Sequence, residues 1–123
     1  MADSITTSEL DRLLDDLVNR VAGAQRAVVL SADGLPVGWS QDLPVGEAEH
    51  LSAVVSGFQS LARGTARHLG GGNVRQTVVE MDNAFLVFTA AGQGRCLALI
   101  TASNADIGTA AYEMNLLVQK MAS

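Results

Sequence analysis

The chain is 123 residues long, with 48% hydrophobic and only 17% charged side chains, which suits one domain with one core and leaves a surface that is either unusually neutral or covered by a partner. Its net charge of −5 and pI near 4.7 oppose phosphate backbones and anionic lipid, so nucleic-acid binding is not expected. The single cysteine, Cys96, allows no internal disulfide. With no leader pattern and no apolar run of membrane-spanning length, the expectation is a soluble cytoplasmic protein without an integral membrane segment.

The first predicted element is a helix over residues 6–21, because Leu10, Leu13, Leu14, Leu17, Val18 and Val21 recur on one helical face. Thr6 and Glu9 have the spacing of a capping box, and Gly23 marks the exit. Strands follow at 27–30 and 35–40, joined through Ala32, Asp33 and Gly34. Pro36 cannot donate to a ladder, which puts the second strand at a sheet edge.

A long helix is predicted over 46–69. Its apolar residues Leu51, Val54, Val55, Phe58, Leu61, Ala62, Thr65 and Leu69 are read as the core face, and Gly70, Gly71 and Gly72 end it. Strands at 74–81, 84–91 and 95–103 are joined by connections too short for parallel crossovers, so they form an antiparallel meander. The last helix, 105–121, buries Ile107, Ala110, Ala111, Met114, Leu117, Val118 and Met121, with Ser103 and Asp106 suited to its cap.

The runs Phe85-Leu86-Val87-Phe88 and Leu97-Ala98-Leu99-Ile100 lack polar alternation, as expected of strands covered on both faces. The predicted fold is therefore α+β, an α/β/α three-layer domain over residues 1–123 with topology αββαβββα. Its five-stranded antiparallel sheet has the order 2-1-5-4-3, because the second strand carries Pro36 and the third is the most polar of the meander.

An edge strand exposes unpaired main-chain groups and is normally defended by proline, lysine or a bulge. The third strand has none of these. One reading is pairing with its own copy across a two-fold axis, with Arg75, Thr77, Val79 and Glu80 at the seam, Arg75 near the twin's Glu80, and Val79→Pro giving a monomer. The other is an edge covered by the chain's own helix or loop. On the long helix, Ala53, Gly57, Ser60 and Gly64 form a stripe of small residues continuing to Arg67. Either it packs against a twin helix or the glycines sit against the protein's own sheet.

No catalytic, cofactor or metal constellation is visible, and no enzyme activity is expected. His50 and His68 lie on one helix about 27 Å apart along its axis and cannot share a metal within a chain. Cys96 reads as a core residue, the triple glycine closes a helix where a phosphate loop would open one, Gly92-Gln93-Gly94 reads as a hairpin turn, and Asp15 and Asp16 read as a solvated face. Trp39 is either packed or part of a contact patch.

Several segments together resemble the roadblock/dynein light chain (roadblock/LC-seven) family, in its bacterial, actinobacterial-type branch. They are Val28-Val29-Leu30-Ser31-Ala32-Asp33-Gly34-Leu35-Pro36, Gly71-Gly72, Val74-Arg75-Gln76-Thr77-Val78-Val79-Glu80-Met81, Ala90-Ala91-Gly92-Gln93-Gly94, Asp106-Ile107-Gly108 and Tyr112-Glu113-Met114. The resemblance implies a profilin-like, roadblock-like fold that dimerises through third strands and long helices. It implies regulation or scaffolding of a Ras-like small GTPase, for which some bacterial members act as GTPase-activating proteins by remodelling the GTPase and not by donating an arginine finger. It also implies an association with a sensor histidine kinase system. Exposed long-helix positions Glu49, Arg63 and Arg67 are the candidate partner contacts. The alternative is a small-molecule-sensing signalling module, against which Phe85, Phe88, Leu97 and Leu99 look set to fill the interior.

Overall fold

The structure, a computed structural model, describes residues 6–122. The first helix, α1 (Thr7–Arg20), starts from the expected capping box: the Glu9 N–H donates to Thr6 Oγ1 at 3.1 Å and the Thr6 N–H donates to Glu9 Oε1 at 2.9 Å. Leu10, Leu14 and Leu17 are buried beneath it. Then come β1 (Ala24–Leu30), β2 (Pro36–Trp39), α2 (Val45–Leu69), β3 (Gln76–Glu80), β4 (Ala84–Ala90), β5 (Cys96–Ala102) and α3 (Ile107–Ala122).

The five strands pair antiparallel in the order β2-β1-β5-β4-β3, as the placement of Pro36 and the composition of β3 implied. Successive strand residues alternate between two cores. Ala27, Val29, Val87, Leu97 and Leu99 meet α1 and α3 on one face. Val28, Leu30, Leu86, Phe88, Cys96 and Ala98 face α2 on the other. β1 begins three residues earlier than predicted, because the polar Gln25 and Arg26 conceal a segment that still pairs with β5 through Ala24↔Thr101. At α3 the cap is Asp106 itself, whose Oδ1 accepts the Thr109 N–H at 3.3 Å.

Two sequence expectations are corrected. Asp15 is not merely solvated: its Oδ1 accepts the Gln41 N–H at 2.7 Å, and Asp11 Oδ1 accepts the Trp39 N–H at 3.0 Å, so carboxylates of α1 secure the β2 edge. The second correction concerns α2. Its buried residues are Ala48, Ser52, Val55 and Gln59, whereas Val54, Phe58, Leu61 and Leu69 are 38%, 39%, 73% and 73% exposed. Ala48 and Ser52 let the helix lie close on the sheet, and Val55 and Leu51 meet that core as expected, while Leu61 and Leu69 point largely to solvent and Val54 and Phe58 are left partly open. Periodicity reports an apolar stripe without saying whose core it enters.

Candidate protein-interaction surface

The phase of the β3–β4 ladder is set by two hydrogen bonds. The Ala90 N–H donates to Arg75 O at 3.2 Å, and the Met81 N–H donates to Ala84 O at 2.9 Å. In an antiparallel pair such positions recur every second residue, so Thr77 and Val79 also turn their main chain toward β4. Gln76, Val78 and Glu80 therefore direct their N–H and C=O groups out of the sheet. Among the described residues no strand lies beyond β3, and α2 rests on β1 and β2. The expectation that Val79 offers its amide to a twin is thus corrected: its amide belongs to β4, and the free one nearby is that of Val78.

The same parity corrects the proposed Arg75–Glu80 contact. Two-fold antiparallel pairing of a strand with its copy sets odd residues opposite odd and even opposite even. Arg75 and Glu80 consequently lie on opposite faces. Arg75, Thr77 and Val79 share the α2 face, where Val79 packs against that core, while Gln76, Val78 and Glu80 share the other.

Beside the open edge, on the α2 face, runs an apolar groove of about 340 Å³ lined by Leu51, Val54, Phe58, Val79, Met81 and Leu86. The Phe58 ring lies tilted against that of Phe88, with centroids 6.1 Å apart. An Arg26–Glu47 ion pair and His50 stand at the rim. The groove exists because α2 leans toward β1 and β2 and leaves the β3 end of the sheet uncovered. Sequence reasoning missed it by assigning Val54 and Phe58 wholly to the chain's own core, against which Leu51 does pack.

The stripe on α2 is open as well. Ala53, Gly57 and Ser60 are exposed and Gly64 is half-buried. A Cβ on Gly57 would meet nothing within 4 Å, and one on Gly64 only the Arg67 guanidinium at 3.8 Å. The glycines therefore do not serve close packing on the protein's own sheet.

The candidate partner contacts separate. Arg63 and Arg67 line one cleft at the C-terminal end of α2, together with Arg95. Glu49 lies near the start of the helix, 18 residues from Arg67 and so about 27 Å away along the axis. Cys96 is buried, and burial pushes its thiol up to about 12 against an opposing pull from Arg63. Among the described residues no group of three or more His, Cys, Asp or Glu side chains is placed to hold a metal ion, and no helix is long and apolar enough to cross a membrane.

The Roadblock/LC7 domain family matches residues 10–101, a span from the first buried leucine of α1 almost to the end of β5. The chain belongs to this family. A Roadblock/LC7 domain from Streptomyces avermitilis superposes with a TM-score of 0.86 at 41% identity, covering 89% of this chain and 92% of that one. The gliding protein MglB of Thermus thermophilus has a TM-score of 0.83 at 18% identity over 94% of this chain and 87% of that one, a likeness of fold. At the level of sequence, an uncharacterized protein of Methanocaldococcus jannaschii is 28% identical over 113 residues, 91% of this chain and 96% of its own. In this roadblock domain, the open strand and the groove meet at Val79, which belongs to β3 and lines the groove.

Proposed function

We propose that this roadblock domain is a non-catalytic, homodimeric adaptor or regulator of a Ras-like small GTPase in the cytoplasm. The observation that carries the dimer is the free main-chain row of Gln76, Val78 and Glu80 beside an exposed apolar groove. With Val78 on the two-fold axis, Gln76 stands opposite the second copy's Glu80, Thr77 opposite its Val79, and about six main-chain hydrogen bonds form. At a net ~1 kcal/mol each they offset part of an association cost of about 4–15 kcal/mol. Burial of side chains such as Phe58 and Val54, at roughly 1.5–3 kcal/mol each, supplies more.

The α2 stripe supports the same axis. Ala53 with Gly64, and Gly57 with Ser60, are symmetric about the midpoint between Phe58 and Gln59. An antiparallel twin helix would set each small residue against another, which permits close backbone approach. Arg75 and Met81 would then flank the seam on the helix side.

The GTPase as partner rests on family membership, and Glu49, Arg63 and Arg67 are the side chains proposed to face it. The sensing alternative has one observation in its favour, since the groove volume falls in the range of small-molecule sites. That groove is open along the β3 edge, however, which suits a second copy better. Light scattering behind a sizing column tests the dimer, and a monomer at tens of micromolar overturns it. Pull-down of bacterial Ras-like GTPases loaded with GDP or GTP tests the partner, and a dimer that binds neither form returns the reading to a sensor.

A further inference from the structure

The last two turns of α2 run beyond the part of the helix that the sheet buries. The inner face of the helix is Ala48, Ser52, Val55 and Gln59, and the next positions at four-residue spacing are Arg63 and Arg67. No residue of α2 after Gln59 is buried. Facing the two arginines is Arg95, from the β4–β5 connection. With Gln59, Val74 and Ala90 they line an open cleft of about 490 Å³. Arg63 shares the cleft lining with Ala90 at the end of β4.

We propose that this cleft docks an acidic, extended segment of a protein partner. The proposal shares Arg63 and Arg67 with the GTPase-facing surface above, but it stands on the cleft alone. A basic residue in the last turn of a helix complements the helix dipole, which accounts for Arg67. It accounts neither for Arg63 one turn earlier nor for Arg95 on another element. The chain has thirteen Asp and Glu residues, yet none lines this cleft. The Arg26–Glu47 ion pair lies elsewhere. Three like charges held around one cavity repel until an anion enters. All three are arginines, whose planar forks take carboxylates bidentately.

The rest of the chain argues for a protein source of those carboxylates. Taking the +3 of these arginines from the net −5 leaves −8 elsewhere, which opposes an anionic membrane plane or a nucleic-acid backbone. A small anion would need enclosure on most sides, whereas Arg63 and Arg67 are exposed. An open, wet, charge-lined cleft suits steered docking of a peptide.

The test is fluorescence anisotropy of a labelled octaglutamate peptide with the full chain. Saturable binding is expected at 50 mM salt, weakening at least tenfold by 300 mM, with no binding of octalysine. R63Q/R95Q should weaken it at least tenfold with unchanged circular dichroism and unchanged mass in solution. R12Q/R20Q, on α1, should stay within twofold of the unaltered chain. The proposal is overturned if octaglutamate does not bind, or if both double variants bind alike. It is also overturned if pyrophosphate or phosphatidylserine vesicles bind more tightly at the same arginines, or if R63Q/R95Q changes the oligomeric mass. GTPase pull-down can fail while octaglutamate binds, and the reverse, so the two readings fall separately.

Discussion

Val78 stands opposite Val87 across the β3–β4 ladder without exchanging main-chain hydrogen bonds with it, so its N–H and C=O point away from the sheet. Val79, one residue on, points the same groups inward to β4. Two neighbouring proline substitutions should therefore have opposite consequences. Val78→Pro deletes a donor that the single chain does not use, and an edge position tolerates proline. Light scattering should find a folded monomer. Val79→Pro removes an internal ladder bond and leaves its β4 partner unsatisfied, which should cost roughly 1–3 kcal/mol, seen as a fall in the urea midpoint. A Val78→Pro protein that stays dimeric would move the seam away from β3.

Gly57 gives a second handle on the proposed dimer. Its missing Cβ faces nothing within 4 Å, so the isolated subunit has room for a large side chain. Gly57→Trp should leave the subunit folded, by circular dichroism, while raising the dimer dissociation constant at least tenfold. Gly57→Ala should remove the helix-interior glycine cost of about 1 kcal/mol, stabilising the subunit while adding a methyl group at the stripe. Sedimentation velocity across a dilution series separates the two effects.

What the sequence disclosed depended on whether local chemistry decides the outcome. The capping box of Thr6 and Glu9, the leucine face of α1 and the edge position of Pro36 were legible because each rests on neighbouring residues. The burial of α2 was not, since Leu51, Val54 and Phe58 would show the same spacing whether they met β1 or a second molecule. The phase of β3 was hidden too, because Val78 and Val79 are chemically identical and only the ladder distinguishes them. Arg95 is 28 residues from Arg67 in the chain, and only the turn between β4 and β5 brings them to one cleft.

Ser52 lies fully buried on the inner face of α2, and its hydroxyl oxygen has no hydrogen-bond partner among the described residues. A buried, unsatisfied hydroxyl costs roughly 1–3 kcal/mol relative to an apolar group of similar shape. Alanine is also the better helix former. Ser52→Ala should raise the unfolding free energy by about 1 kcal/mol in urea denaturation monitored by circular dichroism. A loss of stability would mean that the hydroxyl has a partner, such as an ordered water.

Cys96 couples burial to alkaline stability. Desolvation raises its thiol from 9.0 to about 12, partly opposed by Arg63. Folding thus disfavours the thiolate: the native state holds the proton to higher pH than the unfolded chain does. The stability this represents is fully present below pH 9 and is lost as pH rises toward 12. Iodoacetamide at pH 8 should label the native protein at least a hundredfold more slowly than the urea-unfolded chain, because both thiolate fraction and access are low. Cys96→Ala should flatten the fall in unfolding free energy between pH 9 and 11 while leaving the slope near pH 7 unchanged. Rapid native labelling at pH 8 would place the thiol at the surface and remove the cause assigned to the alkaline loss.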